Sequence, residues 1–323
     1  MDILGIDIAK DTFQVHLHRE TRGWAAEFEN SPKGFQQLSR WLTKRHVERV
    51  HAGLEATGRY GDELAQYLHD QGHLVSVINP ARIKAYGQSQ LQRNKTDRVD
   101  AALIADFCRT QQPAAWTPPS PELRELQEFL RQYDALQTTL QQTRNRLAAG
   151  FQTELILKQL RDQQEFVEKQ IAELTRQIAQ HIRAHPELRR QFDLLDSIPG
   201  VGFITAARLL ALDLLRFATA RAAAAFTGLT PRQHRSGTSV HGKSSITKMG
   251  PSHVRAGLYM PILVAQRFNP VIQAFCARLA ARQKNSLAII VAAMHKLIVI
   301  AFGVLKSGQP FDPNYSAKAA AAA

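Results

Sequence analysis

Apolar residues recur at close to heptad spacing between residues 119 and 185, and this pattern constrains the fold more than any other feature of the chain. The first run breaks at Ala148-Ala149-Gly150 and the second ends at His185-Pro186, so the pattern predicts two long helices. We interpret them as an antiparallel coiled-coil hairpin or an oligomerisation arm. The apolar positions are Leu123, Leu126, Leu130, Tyr133, Leu140, Leu147, Leu157, Leu160, Val167, Ile171, Leu174 and Ile178.

A chain of 323 residues is too long for one compact core, and the heptad segment divides it. We predict an α/β domain over residues 1–118, the coiled-coil arm over 119–187 and an all-α domain over 188–312. Residues 313–323 form a low-complexity tail.

Strand and helix signals alternate through the first 110 residues. Short apolar runs at 3–7, 49–55 and 73–79 indicate buried strands, and period-two segments after the first run indicate a meander. The last helix is predicted from about Thr96 to Arg109. The predicted order is β-β-β-α-β-α-β-α.

The net charge of +13 is concentrated in the C-terminal part of the chain. Lys plus Arg against Asp plus Glu is 15 against 14 for residues 1–118, 11 against 10 for 119–190, and 15 against 4 for 191–323. No acidic residue lies between Asp213 and Asp312. A one-sided basic surface favours a polyanionic partner, and nucleic acid is the first candidate.

Two features bear on the compartment. Cys108 and Cys276 have neither metal-ligand spacing nor a disulfide framework, and the N-terminus does not resemble a signal peptide, so we expect a cytoplasmic protein. The apolar stretch 287–305 contains His295 and Lys296 at its middle. We therefore predict a buried core helix there, and no membrane association.

Four acidic residues form the first candidate site. Asp7 and Glu55 each end an apolar strand, and the carboxyl ends of neighbouring parallel strands meet at one edge of a sheet. Asp97 and Asp100 share one face at the start of a helix. Together the four carboxylates have the chemistry to hold two Mg²⁺ ions for phosphoryl transfer. Taken alone, each acid is more simply explained, as a turn residue at a strand end or by the helix dipole.

The segment IPGVG (198–202) joins two apolar helical runs and is typical of a helix-hairpin-helix. Gly200 and Gly202 would let backbone N–H groups approach a phosphate. The alternative is an ordinary turn with a glycine cap. Further along the chain, four basic residues either contact phosphates or belong to a solvated surface: Arg235, Lys243, Lys248 and Arg255.

The segment RSGTSVHGK (235–243) carries three hydroxyl groups, on Ser236, Thr238 and Ser239. A serine hydroxyl is a poor nucleophile unless a base or a metal activates it. Residues 214–311 contain no Asp or Glu. If one hydroxyl is a nucleophile, the carboxylates that activate it come from elsewhere, and spacing alone does not say which hydroxyl it is.

Several segments resemble the IS110 family of transposases, in matching order over nearly the whole chain. GIDIAKDTFQVHL, LEATGRY, SVINPARIKAYGQSQ and RNKTDRVDAALIADFCR are similar to its DEDD, RuvC-like domain. SIPGVGFITAARLLA, FTGLTPRQHRSGTSVHGKSSITKMGPSHVRAGLYMPI and GVLKSGQPFD are similar to its C-terminal transposase domain. The resemblance implies an RNase H-like fold, with Asp7, Glu55, Asp97 and Asp100 at the D-E-D-D positions and Ser236 at the catalytic serine.

The resemblance also implies cofactors and partners. These are Mg²⁺ or Mn²⁺, donor and target DNA, and a structured guide RNA encoded by the element. The resemblance further implies that the protein forms a homo-oligomer, a dimer or tetramer, whose active sites are composite. Two other functions remain open: a RuvC-like nuclease that hydrolyses DNA junctions, and a non-catalytic nucleic-acid scaffold.

Overall fold

The computed structural model describes residues 1–20, 22–56, 58–90, 97–232, 235–236, 240–241 and 245–315, with the side chains of 97, 98, 235, 236, 240 and 241 excepted. The chain divides into two compact units, Met1–Pro118 and Pro119–Ala323. Helices α5 and α6, which correspond to the predicted arm, belong to the second unit.

The first unit is built on a five-stranded sheet with the order β3-β2-β1-β4-β5. Strand β1 is antiparallel to β2 and parallel to β4, which is parallel to β5. The strands are β1 Asp2–Ile8, β2 Thr12–Arg19, β3 Arg22–Glu29, β4 Val50–Glu55 and β5 Leu74–Ile78. The helices are α1 Pro32–Thr43, α2 Asp62–Asp70, α3 Pro80–Ser89 and α4 Asp97–Gln111.

Helix α3 departs from the predicted order, which placed only one helix after β5. The Asn79 side chain caps it by accepting the Ala81 N–H, and Pro80 occupies its first turn. Only Ile83 and Gly87 of this helix are buried. The sequence of α3 therefore carries a capping signal, but its apolar stripe is too weak to predict a helix.

Helix α4 lies directly against the centre of the sheet. A Cβ atom on Gly5 would collide with the backbone oxygen of Ala101 and the backbone nitrogen of Ala105, and one on Gly53 would collide with the Cys108 sulfur. Arg109, near the end of α4, lines a small pocket with residues 1–3 at the start of β1. The helix therefore runs antiparallel to β1, and its N-terminal end lies toward the end of β1.

The second unit is mainly helical. Its helices are α5 Pro121–Ala148, α6 Glu154–Ala184, α7 Pro186–Asp196, α8 Phe203–Ala211, α9 Ala220–Phe226, α10 Ser252–Phe268, α11 Pro270–Ala281 and α12 Ser286–Ser307. Four two-residue strands follow α9: β6 Pro231–Arg232, β7 Arg235–Ser236, β8 Val240–His241 and β9 Ser245–Ile246.

Helices α5 and α6 pack side by side in opposite directions. Arg144 pairs with Glu168 at 2.9 Å, and His181 Nε2 lies 2.8 Å from the Glu122 carbonyl oxygen. Leu126 and Ile178 belong to the same hydrophobic core as α7–α12. The base of the helix pair is thus built into the second unit. A coiled-coil geometry and a domain boundary at residue 187 stay predictions.

Helix α12 covers the long apolar stretch. By length and composition it would suffice to cross a membrane, with a mean hydropathy of 2.4, and no other helix of the described ranges passes that test. From Ala293 onward it packs into the core, through Leu297 and Phe302 among others, whereas Leu287 near its start is 62% exposed. The predicted burial is therefore found from Ala293 to the end of the helix.

We expect Gly5→Ala to lower the free energy of unfolding of the first unit by about 1–3 kcal/mol or more, because the backbone of α4 cannot yield to the added methyl group. All three tryptophans, Trp24, Trp41 and Trp116, lie in this unit. Urea unfolding followed by tryptophan fluorescence therefore measures its stability directly.

The matched control is Gly303→Ala in α12, where an added Cβ meets no atom within 4 Å. We expect the control to leave the tryptophan transition at its wild-type midpoint. Equal midpoints for Gly5→Ala and the wild type would contradict the packing described for α4.

Candidate active site

Asp7 and Glu55 lie side by side at the carboxyl ends of two neighbouring parallel strands. Ile6 of β1 pairs with Leu54 of β4, so the residue that follows each occupies the next position of the same register. Neighbouring strands are about 4.8 Å apart. The fold therefore brings these two half-buried acids together at one edge of the sheet.

The two acids also share a face of the sheet. Gly5 and Gly53 face α4, and side chains alternate between faces along a strand. Asp7 and Glu55, each two residues further on, therefore face the same side as α4. Because α4 begins toward this end of β1, its first turn, with the half-buried Asp100, is directed to the same edge.

Asp97 is the first residue of α4, but its side chain lies outside the described part of the structure. The fold thus directs Asp7, Glu55 and Asp100 to one edge, and the position of the fourth carboxylate stays a prediction. Oxygen donors are the ligands that Mg²⁺ and Mn²⁺ prefer, so the residue types suit such an ion. Within the described ranges, however, no three His, Cys, Asp or Glu side chains are grouped so as to hold a metal, and the metal site stays a prediction.

Asn30 is a residue of this edge that sequence reasoning missed. Its Nδ2 donates to the carbonyl oxygen of Ala9 at 3.1 Å and to that of Tyr60 at 2.9 Å. Ala9 follows β1, and Tyr60 lies in the turn that follows β4. Asn30 therefore ties together the two loops that carry the chain away from Asp7 and Glu55. A lone Asn after a strand gives no sequence signal for this role.

Ser236 lies in strand β7 of a short antiparallel hairpin in the second unit. Arg235 pairs with His241 and Ser236 with Val240, while β6 pairs with β9 further down. Thr238, Ser239 and Lys243 lie outside the described residues, as do the side chains of Arg235 and Ser236. The choice among the three hydroxyl groups is therefore still a prediction.

The base of the hairpin is held by Arg255, one of the predicted phosphate contacts. Its Nη1 donates to the carbonyl oxygens of Thr227 at 3.1 Å and of Gly250 at 2.6 Å. This side chain thus has a structural partner already. Lys248 is exposed, and its backbone N–H bonds to the Gly228 carbonyl oxygen. Phosphate contacts by either residue stay predictions.

The two glycines of the IPGVG turn differ in their surroundings. Gly200 has φ +92°, and a Cβ there would lie 2.5 Å from the Ala265 Cα of helix α10. Packing within the unit therefore explains Gly200 without a ligand. Gly202, the residue before α8, has open space around its Cα. Gly202 is therefore a better candidate than Gly200 for a phosphate contact, and this contact stays a prediction.

Comparison with known proteins establishes the family. Residues 4–155 match a family model for the DEDD domain of IS110 elements, described as a transposase, and residues 192–277 match a model described as the transposase IS116/IS110/IS902 family. The chain is 35% identical over 315 residues to the pilin gene-inverting protein of Moraxella bovis, covering 96% of this chain and 97% of that protein. It is 24% identical over 277 residues to the transposase for insertion sequence element IS1111A of Coxiella burnetii, covering 73% of this chain and 70% of that protein.

The chain therefore belongs to the IS110 family of transposases, as its motifs predicted. The family defines a DNA-transposing enzyme, whose substrate is DNA. The matched DEDD model spans the two strands that end at or beside Asp7 and Glu55 and the helix that begins with Asp97 and contains Asp100.

We expect Asp7→Asn and Asp100→Asn each to weaken Mn²⁺ binding to the full-length protein by at least about tenfold, since each change removes a charged oxygen donor. Titration of free Mn²⁺ by electron paramagnetic resonance measures the affinity. The control is Asp70→Asn, at an exposed acid at the end of α2. Wild-type affinity in both variants, or an equal loss in the control, would show that the acids at the sheet edge do not bind the metal.

Proposed function

We propose that the protein is the transposase of an insertion sequence, which cuts and rejoins donor and target DNA through a serine-linked intermediate. It uses Mg²⁺ or Mn²⁺, is guided by a structured RNA encoded by the element, and acts in the cytoplasm. The observation that carries the proposal is the register of β1 with β4, which puts Asp7 and Glu55 at neighbouring strand ends, near the start of the helix that carries Asp97 and Asp100.

The mixed five-stranded sheet and the DEDD match support an RNase H-like catalytic domain. In that domain the four carboxylates would hold the metal. When bound, the metal would stabilise the negative charge that develops on the phosphate oxygens during transfer.

Ser236 is the proposed nucleophile, on the strength of its position in the family motif. Its Oγ attacks the phosphorus of a DNA phosphodiester, so an Oγ–P bond forms and the bond from phosphorus to one deoxyribose oxygen breaks. The hydroxyl proton leaves with the base that activates Ser236, and the leaving deoxyribose oxygen takes up a proton. A free DNA hydroxyl then attacks the phosphoserine, which restores both the phosphodiester and the serine.

The acids that activate Ser236 are proposed to come from a second protomer. The chain has no Asp or Glu from residue 214 to residue 311, so the hairpin has no carboxylate in its own stretch of sequence. A homo-oligomer, a dimer or tetramer, with composite active sites resolves this shortage. The antiparallel α5–α6 pair offers a long surface for such an assembly.

One relative bears on the alternatives. The Moraxella bovis protein is named for inverting a gene, and inversion requires that cut strands be rejoined. A hydrolytic nuclease would leave the strands cut, and a non-catalytic scaffold would not cut them. Similarity over 96% of the chain therefore supports recombination over both alternatives.

The test uses the full-length protein with its co-purifying RNA, donor and target DNA matched to that RNA, and Mg²⁺. We expect joined DNA products and a covalent protein–DNA adduct on denaturing gels. Ser236→Ala is expected to abolish both, because it removes the attacking oxygen, whereas Thr238→Ala and Ser239→Ala retain them.

Two outcomes would contradict the proposal. An adduct and near wild-type joining by Ser236→Ala would exclude this serine as the nucleophile. Full sequence-selective joining by protein freed of RNA with nuclease would exclude the guide RNA.

A further inference from the structure

A cavity of about 240 Å³ lies in the second unit between helices α5, α8 and α10. Its polar lining includes Arg131, Asp134, Arg208, Arg216 and His253. The volume is below the roughly 300–1,000 Å³ of pockets that hold whole small molecules. The cavity is therefore suited to one chemical group of a larger ligand.

The charge of the lining favours an anion. Asp134 is the only acid among the lining residues, and Arg208 forms an ion pair with it. Arg131 is left in excess, because its contact with Glu128, at 3.5 Å between exposed side chains, is weak. Burial lowers the pKa of Arg216 and the nearby Asp213 raises it, so Asp213 offsets part of the Arg216 charge without forming an ion pair in the described structure. Burial lowers the pKa of His253, so that at neutral pH it contributes an N–H donor without a charge.

Arg216 has the geometry of an oxyanion ligand. Its Cζ lies 4.8 Å from the ring centre of Phe217 and 4.6 Å from that of Phe226. Ring contacts cover a face of the guanidinium and leave its edge, with the N–H donors, uncovered. No acceptor in the described part of the chain takes a hydrogen bond from this side chain, although the residue as a whole is exposed. A fork of N–H groups matches a phosphate bidentately.

The cavity adjoins the hairpin that carries Ser236. Phe226 and Pro251 line it, and the carbonyl oxygen of Pro251 lies 3.3 Å from the Arg255 Nη1 that fastens the hairpin base. Ser236 is five residues beyond Pro231, the start of the hairpin, which is at most about 18 Å of extended chain. A phosphate bound in the cavity would therefore lie beside the base of the hairpin that carries Ser236.

We propose that this cavity binds a backbone phosphate of the nucleic-acid substrate, with Arg216 as its principal ligand and Arg131 at its mouth. The inference rests on the proposed function, since it takes nucleic acid as the substrate. It adds a site that fixes the position of the strand relative to Ser236 without reading its sequence.

The test measures the affinity for duplexes of unrelated sequence between 50 and 200 mM salt. Losing one phosphate contact reduces the slope of log K against log salt by about 0.9. Between 50 and 200 mM salt, the affinity of Arg216→Gln should therefore fall by a factor roughly threefold smaller than that of the wild type. At low salt, Arg216→Gln should bind every duplex more weakly than the wild type does. The control is Arg221→Gln, an exposed arginine of α9 that does not line the cavity, and it should keep the wild-type slope.

Two further variants keep the test decisive if Arg216→Gln folds poorly. Arg216→Lys keeps the charge but loses the planar fork, and it should bind with intermediate affinity. Arg131→Gln, at an exposed position on α5, should reduce the slope as well. A wild-type slope in Arg216→Gln and Arg131→Gln together with wild-type affinity in Arg216→Lys, or an equal reduction of the slope in Arg221→Gln, would overturn the inference.

Inorganic phosphate separates a free anion from a nucleic-acid backbone. If it raises the melting temperature of the wild type but not of Arg216→Gln, and does not compete with DNA, the cavity is an anion site unrelated to the substrate and the inference fails. Competition with DNA supports it. Joining of donor to target DNA by the wild type is measured separately, and its absence counts against the proposed function. A cavity variant that binds and joins DNA like the wild type counts only against the cavity as a phosphate site.

Discussion

The close approach of helix α4 to strands β1 and β4 is the constraint on which the first unit depends. The helix backbone reaches the sheet because Gly5 and Gly53 carry no side chains at the points of contact. This contact fixes the height and the direction of α4. It also sets which turn of α4 lies at the sheet edge where β1 and β4 end, beside Asp7 and Glu55. A packing requirement in the core therefore positions the polar groups at this edge.

The proposed reaction needs carboxylates and a basic surface, and these lie in different parts of the chain. The first unit brings carboxylates to one edge of its sheet, whereas residues 214–311 contain none. A region without acids can approach a polyanion without repulsion, but it cannot hold a divalent cation by carboxylates of its own. Separation of the two functions between protomers would let each region keep its charge.

Much of this arrangement was predictable from sequence. Acids that end apolar strands, at Asp7 and Glu55, were assigned to one edge, and the register of β1 with β4 places them side by side. Helix α3 was missed because it buries little apolar surface despite its Asn79 cap. The roles of Gly200 and Arg255 depend on contacts with Ala265 and with carbonyl oxygens distant in sequence, which no local pattern encodes. The contact of Arg216 with the Phe226 ring could not be predicted from sequence for the same reason.

Complementation between two inactive variants tests the composite active site most directly. Asp7→Asn removes a carboxylate and Ser236→Ala removes the proposed nucleophile, so neither protein alone should join donor to target DNA. Co-expressed with different tags and purified as mixed oligomers, they should regain activity, because the intact serine of one protomer meets the intact carboxylates of the other. Mixed oligomers that form in good yield but remain inactive would contradict the assignment of serine and carboxylates to different protomers.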